Sequence, residues 1–264
     1  MSSLEIGLGL GTSGLDDPDE CARTVTTALE AGYRHVDTAQ MYDNEAAVGR
    51  GIAAADVDRE DVIVATKIHP ENLSPDDVRE TATESLDRLG LDRVDLLYVH
   101  WPIRTYDAEA TLPAFDELRD AGVTAHVGIS NFTPELVREA DEILDAPIAA
   151  HQVECHPRFQ QPELRALAEE FEHHLVGYSP LGQGEILDDE VLVDVAERNG
   201  SSPAVVALAW AVERGVVPIP KSTGDHVTEN LAALDIDLPA SDLEAIDGLA
   251  GGDRLIDPDD AAWN

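Results

Sequence analysis

Eight short apolar runs, each followed by a helical pattern, constrain the fold of this 264-residue chain more than any other feature. The runs are GLGLGT (7–12), YRHVDT (33–38), VIVATK (62–67), VDLLYVH (94–100), AHVGIS (125–130), AAHQVE (149–154), LVGYS (175–179) and GVVPIPK (215–221). Eight alternations of strand and helix predict an α/β fold, the (β/α)8 TIM barrel. Two doubly wound halves are the alternative, but no linker or shift in composition divides the chain. We therefore expect a single barrel domain over residues 1–264.

The helical patterns between the runs carry recognisable start signals. An N-cap residue precedes a proline at the first helical position in four of them, at Asp17, Ser74, Thr133 and Ser202. The pattern at 188–199 predicts an additional helix before the eighth strand. Residues 241–264 predict one helix and a tail with no further strand. The pair His173-His174 ends another helical pattern, and we expect it at the surface.

Polar residues stand where the runs end. A barrel collects the carboxyl ends of its strands on one face, and barrel enzymes have their active sites there. The chain has only two lysines, Lys67 and Lys221, and both fall at such ends. This coincidence predicts a functional site on that face, formed by Asp37, Lys67, His100, Ser130, Asn131, Gln152, Glu154, Tyr178, Ser179, Lys221 and Ser222.

Four of the polar residues near these ends form a set with an obvious chemistry. The second, third and fourth runs end in Asp37, Lys67 and His100, and Tyr42 follows in the second loop. A lysine cation beside a tyrosine stabilises the phenolate and lowers the pKa of the phenol. A buried lysine needs a carboxylate partner to stay charged, and Asp37 is the expected one. The set therefore predicts an acid that protonates an oxyanion, with His100 holding the substrate oxygen.

The net charge excludes two classes of partner. Asp and Glu total 54 against 17 Lys and Arg, which gives a formal net charge of −37. Such a surface repels nucleic acids and anionic membranes, so we expect neither as a partner. The carboxylates are spread along the whole chain, and their mutual repulsion needs screening. At about 1 M salt the Debye length is only about 3 Å. We therefore expect a halophilic protein whose stability falls on dialysis to low salt.

Cysteine usage and hydropathy bear on the compartment. Cys21 and Cys155 are too few for a disulfide framework and lack paired metal-ligand spacing. Glu154 and His156 have no third ligand near them in sequence, so no metal site is predicted. No apolar run reaches the roughly 18 residues of a membrane span. The first residues, MSSLEIGLGLG, lack the features of a signal peptide. These features predict a cytoplasmic protein.

Eight stretches in a fixed order resemble the aldo-keto reductase family from end to end: GLGLGT, HVDTAQMYDNEAAVG, TKIHPEN, SLDRLGLDRVDLLYVHWP, VGISNF, HQVECHP, YSPLGQG and IPKS…EN. The chain looks like the prokaryotic, short-loop type from a halophilic, haloarchaeal-like source. The resemblance implies reversible NAD(P)H-dependent reduction of a small aldehyde or ketone by a monomer without a metal. It also implies that Tyr42 is the general acid and that Asp37, Lys67 and His100 support it.

The same resemblance implies a set of cofactor-binding residues. They are Ser130, Asn131 and Gln152 for the nicotinamide amide, Tyr178 for its ring, and Ser179, Leu181 and Gly182 for the pyrophosphate. Lys221, Ser222 and Thr223 are implied for the adenosine ribose and any 2′-phosphate, Glu229 and Asn230 for the adenine, with Thr12 and His226 completing the set.

The chain departs from the family pattern at two places. The family commonly has an arginine shortly after the KS pair, but this sequence is KSTGDHVTEN, with His226 nearest that position. Lys221 favours NADP(H), while Asp225 and the missing arginine leave NAD(H) as the alternative. A tryptophan often found after the third strand is His69 here. Together with loops that look short, this predicts an open, loosely specific substrate pocket lined by Met41, His69 and Trp101.

Two other functions are compatible with parts of the pattern. Barrels also host Schiff-base lyases, whose lysine ends a strand, and Lys67 or Lys221 would then trap substrate carbon on borohydride treatment. A regulatory barrel that binds nucleotide without turnover is the second alternative, and the complete set around Tyr42 argues against it. The sequence leaves the physiological substrate open, because the pocket-forming loops are where it departs most from the family.

Overall fold

Eight parallel strands form one curled sheet whose order, β1 to β8, follows the chain. This arrangement comes from a computed structural model, which describes residues 4–252 and 254–264. The strands are Leu10–Gly11, His35–Asp37, Ile63–Ile68, Val94–Val99, Thr124–Ser130, Ile148–Glu154, His174–Tyr178 and Val216–Pro218. All eight predicted runs therefore contain a strand, and each strand pairs with the next in parallel.

The first and last strands are shorter than their apolar runs. Pro218 and Pro220 have no N–H to donate, which limits the ladder that the eighth run can form. Their carbonyls do accept hydrogen bonds, from Gly9 N–H at 3.0 Å and from Gly11 N–H at 3.1 Å. The curled sheet thus brings its two ends together, and backbone hydrogen bonds join them.

The described residues form ten α-helices, of which two lie between β7 and β8 and two follow β8. They are α1 Pro18–Ala31, α2 Glu45–Ala54, α3 Pro75–Leu89, α4 Ala108–Asp120, α5 Pro134–Ile143, α6 Pro162–Glu170, α7 Glu190–Arg198, α8 Pro203–Glu213, α9 His226–Glu229 and α10 Ala240–Asp247. The four predicted N-caps precede α1, α3, α5 and α8. The extra helix predicted at 188–199 is α7. No helix in the described part of the chain is long and apolar enough to cross a membrane.

The strands divide their side chains between two apolar layers, because successive residues of a strand point to opposite faces. In β4, Leu97 and Val99 join the large core between sheet and helices, whereas Leu96 and Tyr98 join a smaller cluster inside the sheet. The Tyr98 ring fits because its neighbour on β5 is Gly128. A β-carbon there would lie 2.5 Å from the ring. Tyr98 thereby fills the interior directly beneath the polar strand ends.

The expectation that His173 lies at the surface is wrong. Its side chain is buried, because the chain turns inward at His174, the first residue of β7. The His173 ring lies 6.0 Å from that of buried His151 on β6. Neither ring nitrogen of either residue has a hydrogen-bond partner among the described residues. Burial, reinforced by the neighbouring His173, lowers the pKa of His151 to about 3. Burial, reinforced by the adjacent His174, lowers the pKa of His173 to about 4.

These two histidines are expected to make the protein acid-labile. Their pKa values are lower in the folded than in the unfolded chain, so their contribution is intact above the unfolded value of about 6.5 and is lost as pH falls toward the folded values. At pH 5 each of the two histidines should lower the free energy of unfolding by about 2 kcal/mol relative to neutral pH. Denaturant unfolding of the wild type and of His151→Leu, at pH 7.5 and pH 5 in constant salt, measures this. The variant should lose about 2 kcal/mol less than the wild type.

His226→Gln is the matched control, because the His226 side chain is exposed. It should lose as much stability between the two pH values as the wild type does. An equal loss in His151→Leu and in the wild type would contradict the assignment of acid lability to the buried pair.

Candidate active site

A cavity of about 1050 Å³ opens at the carboxyl ends of the strands. Because all strands are parallel, these ends and the loops that follow them converge on the same face. This cavity is lined by Asp37, Tyr42 and His100, and Lys67 lies behind Asp37 and Tyr42. Segments after β1, β3, β7 and β8 complete the wall. The convergence of strand ends that the sequence predicts is therefore present in the structure.

A buried ion pair lies at the base of the cavity. Lys67 Nζ donates to Asp37 Oδ1 and, at 2.8 Å, to the carbonyl of Thr38. The second carboxylate oxygen of Asp37 accepts from Gln152 Nε2 at 2.7 Å. The pair is thus hydrogen-bonded on both sides, the condition under which burying two charges is tolerated. Gln152, implied as a ligand of the nicotinamide amide, uses its amide nitrogen here to hold Asp37.

Lys67 remains a cation in this setting. Burial by itself would lower the pKa of Lys67, but the Asp37 carboxylate and the Tyr42 hydroxyl together raise it above its usual value. Lys67 Nζ donates to Tyr42 Oη at 3.4 Å and lies 5.0 Å from the centre of the tyrosine ring. A lysine held charged in this way can polarise the phenol, whereas it cannot act as a nucleophilic amine without losing its proton.

The pKa of Tyr42 departs from the expectation. The sequence predicts that Lys67 lowers it, but burial raises the pKa of Tyr42 above its usual value, and Lys67 offsets this only in part. The phenol therefore keeps its proton at neutral pH. A protonated phenol beside a cation is suited to give a proton to an oxygen that is becoming negative, because the lysine stabilises the phenolate that results.

The Tyr42 loop is held by amide side chains on both sides. Gln40 Oε1 accepts from the backbone N–H of His69 at 2.8 Å, and Gln40 Nε2 donates to the carbonyl of Thr81 at 3.0 Å. Asn44 accepts from the Thr38 hydroxyl at 2.8 Å and donates to the Thr12 carbonyl at 2.9 Å. The short 3-10 turn Gln40–Tyr42 is thereby fixed between β1, β3 and α3. These bonds hold the tyrosine over the ion pair.

His100 follows β4 and faces Tyr42. The two rings meet edge to face, with centroids 5.7 Å apart. Burial, followed by the charge of Lys67 and the nearby His69, holds the pKa of His100 well below its usual value. The imidazole is therefore neutral at pH 7 and carries one N–H. Such a group can donate a hydrogen bond to a substrate oxygen without competing with Tyr42 as the acid.

The residues implied for the nicotinamide end form a connected network. Tyr178 Oη donates to Asn131 Oδ1 at 2.9 Å, and Asn131 Nδ2 donates to Ser130 Oγ and to the His100 carbonyl, each at 3.0 Å. Eight of the implied cofactor residues line the cavity, namely Thr12, Ser130, Asn131, Gln152, Tyr178, Ser179, Leu181 and Lys221. Lys221 Nζ lies 3.7 Å from the β-carbon position of Gly14, so the lysine reaches the loop after β1.

Six other implied cofactor residues lie outside the cavity wall: Gly182, Ser222, Thr223, His226, Glu229 and Asn230. Asn230 Nδ2 donates to Ser222 Oγ at 2.6 Å, and both residues are buried. His226 Nδ1 and Glu229 Oε2 lie 2.7 Å apart in an exposed pair. Gly182 lies in the turn after β7, and the other five lie after β8, beyond Lys221, where two pairs of them are hydrogen-bonded.

The substrate end has further wall residues that the sequence did not predict. Met41, His69 and Trp101 line it as expected, but Trp101 is only 6% exposed. The tail after α10 returns to this face, where Trp263 packs against Trp101 at 5.5 Å between ring centroids. Three tail residues and two residues of the β4–α4 loop also line the cavity: Ile256, Pro258, Asp260, Ile103 and Arg104. The three tail residues lie far along the chain from the strand ends, so no local signal could have identified them, whereas Ile103 and Arg104 follow the end of β4 within five residues.

Comparison with known proteins agrees with this geometry. The sequence profile of the Aldo/keto reductase family matches residues 5–250. The chain is 42% identical, over 96% of both chains, to methylglyoxal reductase DkgB of Escherichia coli O157:H7. It is 39% identical to an aldo-keto reductase of Mycolicibacterium paratuberculosis, over 94% of this chain and 87% of the relative.

Solved structures give the same result. A crystal structure of a proposed 2,5-diketo-D-gluconic acid reductase B superposes with a TM-score of 0.93 at 36% identity, covering 97% of this chain and 92% of that one. The Bombyx mori aldo-keto reductase, solved in complex with NADP, gives a TM-score of 0.89 at 31% identity, covering 95% and 91%. The match in sequence and in structure extends over nearly the whole protein. The chain belongs to the aldo/keto reductase family.

Proposed function

We propose that this protein reduces aldehydes and ketones to alcohols with NADP(H), reversibly, and that Tyr42 is the general acid. The observation that carries the proposal is the contact of a protonated Tyr42 with the charged Lys67 inside a cavity that also holds neutral His100. A single site of this composition can supply a proton to a carbonyl oxygen and bind that oxygen at the same time.

The residues around Tyr42 take distinct parts in the reaction. His100 donates an N–H to the carbonyl oxygen and orients it. Tyr42 gives that oxygen its proton as negative charge develops, and Lys67 stabilises the phenolate left behind. Asp37 keeps Lys67 charged, and Gln152 and Thr38 keep the ion pair in place. When bound, NADPH supplies the hydride that the carbonyl carbon receives.

The cavity suits this cofactor by the chemistry of its donors. The amide and hydroxyl groups of Asn131 and Ser130 stand beside the half-buried ring of Tyr178 at one end. The ammonium group of Lys221 stands at the loop after β1, where a phosphate would meet it. Together they fit an aromatic ring with a polar amide and an anionic tail.

Lys67 is a poor candidate for Schiff-base chemistry. A Schiff base requires an uncharged amine, and the contact with Asp37 keeps this amine protonated. A regulatory barrel without turnover would not need a buried ion pair beneath a tyrosine. Neither alternative is therefore favoured over carbonyl reduction.

Tyr42→Phe should abolish turnover and leave cofactor binding intact, because the change removes the proton donor and little else. The loss in kcat should be about a thousandfold, within the range expected for one general acid. Oxidation of NADPH with a reactive aldehyde in about 2–3 M KCl measures the rate, and NADPH titration by fluorescence measures binding.

Tyr106→Phe is the matched control, since Tyr106 is a partly buried tyrosine that packs against Phe132 outside the cavity. It should have the activity of the wild type. Full activity in Tyr42→Phe would overturn the proposed mechanism.

For the cofactor we propose a preference for NADP(H) over NAD(H), carried by Lys221. Lys221→Gln should weaken the binding of NADPH about tenfold, as expected for the loss of a charge-assisted hydrogen bond, and should change the binding of NADH little. The ratio of kcat/KM for the two cofactors measures the preference.

Arg93→Gln, which removes an exposed cation just before β4 at the opposite end of the strands, should leave the ratio unchanged. A wild-type kcat/KM tenfold higher with NADH would reverse the assignment.

We also propose that the chain is a single domain over residues 1–264 in which the strands close into a (β/α)8 barrel. The two backbone hydrogen bonds from Gly9 and Gly11 to the eighth segment support this closure. The short segment between β4 and α4 agrees with the short-loop prokaryotic type within the family. No subunit contact is needed to complete the cavity, which agrees with a monomer.

The net charge of −37 supports a halophilic source and a cytoplasm with molar salt. A protein this acidic is stabilised when salt screens its carboxylates from one another. Melting temperatures in 0.2 M and 2.5 M KCl test this proposal, and we expect a rise of about 10 °C or more at the higher concentration. Sodium chloride at matched ionic strength distinguishes screening from specific potassium binding. An unchanged melting temperature would contradict the proposal. The same charge is unfavourable for nucleic acid as a partner.

The relatives suggest two candidate substrates. One relative is named for methylglyoxal and one structure for 2,5-diketo-D-gluconic acid. Both compounds carry adjacent oxygenated carbons and a reactive carbonyl, and we propose a small carbonyl compound of this kind as the substrate.

A further inference from the structure

The tail that covers the substrate end is fixed by one buried carboxylate. Glu154, at the end of β6, is fully buried and accepts hydrogen bonds from the backbone N–H groups of Leu255 at 2.8 Å and Ile256 at 2.9 Å. Its first oxygen also lies 3.1 Å from His156 Nε2. A carboxylate that accepts two backbone N–H groups holds that backbone strongly, because these bonds are charge-assisted. The tail therefore has a defined path across the cavity mouth.

Aromatic packing continues this path beyond Glu154. The guanidinium of Arg254 lies 3.6 Å from the centre of the Trp263 ring, and Trp263 packs against Trp101 in the cavity wall. Trp263 Nε1 also donates to Asp257 Oδ1 at 2.8 Å. The residues between Arg254 and Trp263 are thereby held on the substrate side of the cavity.

This path carries an acidic side chain to the rim. Asp260 Oδ2 lies 2.5 Å from Arg104 Nε, and Glu71 Oε1 lies 3.5 Å from Arg104 Nη1 on another side of the same guanidinium. Arg104, Asp260 and Glu71 all line the cavity. The Arg104 guanidinium therefore already has two carboxylate partners where a substrate would approach.

The other charges of the cavity offer no free cation to the substrate. Among the described lining residues, the lysines and arginines are Lys221 and Arg104, with Lys67 beneath them. Lys67 is neutralised by Asp37, and Lys221 stands at the end assigned to the cofactor. His69 Nδ1 accepts a hydrogen bond from the backbone N–H of Glu71 at 3.1 Å. The rim thus has one positive and two negative charges, a net charge of −1.

The rest of the substrate end is apolar, formed by Met41, Trp101, Ile103, Ile256 and Pro258. An apolar wall with a negative rim binds uncharged groups and repels carboxylates, because an entering anion would have to displace Asp260 or Glu71 from Arg104. An uncharged substrate encounters neither cost.

We propose that this rim selects uncharged carbonyl substrates and discriminates against substrates that carry a carboxylate. The inference rests on the proposed reductase function and specifies the substrate class of that site. Of the two candidate substrates, methylglyoxal is uncharged and 2,5-diketo-D-gluconate is an anion at neutral pH. The rim therefore favours the first, although the chain also resembles a structure named for the second.

A matched pair of aldehydes tests the proposal. Methyl 4-formylbenzoate and 4-formylbenzoate share the reacting group and the ring, and differ in the charge at the far end. With NADPH in about 0.2 M KCl, where the Debye length is still about 7 Å, the wild type should have a kcat/KM about fivefold higher for the ester, the size expected from partly exposed charges.

A series of rim variants changes the charge in single steps. Arg104→Gln gives a rim of −2, Asp260→Asn gives 0, and the double variant Glu71→Gln with Asp260→Asn gives +1. The ratio of kcat/KM for ester to acid should fall by about threefold at each step from −2 to +1. Asp259→Asn is the control, because Asp259 is an exposed neighbour of Asp260 outside the cavity wall. It should keep the wild-type ratio.

Two outcomes would overturn the proposal, and they differ from each other. The rim does not select by charge if the wild type reduces both aldehydes with equal kcat/KM, or if the ratio of kcat/KM for ester to acid is the same in all rim variants. In either case the reductase function stands. If NADPH is oxidised with neither aldehyde nor with methylglyoxal, the reductase function fails, and the inference that rests on it fails as well.

Discussion

The buried ion pair of Lys67 and Asp37 is the interaction on which the rest of the site depends. Removing two charges from water costs several kcal/mol for each ion, and only close contact with full hydrogen bonding offsets this. The protein meets that condition from four directions: β2 supplies Asp37, β3 supplies Lys67, β6 supplies Gln152, and the loop after β2 supplies the Thr38 carbonyl. These partners come from non-adjacent as well as adjacent strands, so the curvature of the sheet is required to assemble them. Tyr42 then takes its place above a cation that is already fixed.

A second buried carboxylate has a different use. Asp37 holds a cation, whereas Glu154 accepts backbone N–H groups of the tail. Both side chains are buried, and each carboxylate oxygen accepts at least one hydrogen bond. The first organises the reacting end of the cavity, and the second organises the wall that meets the substrate. Below the ion pair, the interior of the sheet is filled by Tyr98, whose ring fits there because β5 has Gly128 beside it.

The excess of acidic residues determines the charges around this cavity. With 54 acidic and 17 basic residues, most surface cations have a carboxylate nearby, and Arg104 at the rim has two. Cationic groups that an anionic ligand could reach are correspondingly scarce in the cavity, and Lys221 stands where the cofactor phosphate is expected. An adaptation of the surface to salt and a preference for uncharged substrates would then share one physical origin, the excess of carboxylates over cations.

Local sequence determined the elements and the identity of the polar strand ends. Hydrophobic period, N-cap and proline signals are properties of a few neighbouring residues, so the eight strands, the helix before β8 and the grouping of Asp37, Tyr42 and His100 on one face could all be predicted. The upward shift of the Tyr42 pKa and the burial of His173 could not be predicted, because both depend on how much protein surrounds the group. The hydrogen bonds between the tail and Glu154 and the ion pair of Asp260 with Arg104 could not be predicted either. Residues about 100 to 156 positions apart in the chain meet there only after folding. The sequence by itself therefore determined which groups are available for the chemistry. Tertiary structure decided their protonation and which of them a substrate meets, because desolvation and long-range contacts exist only in the folded chain.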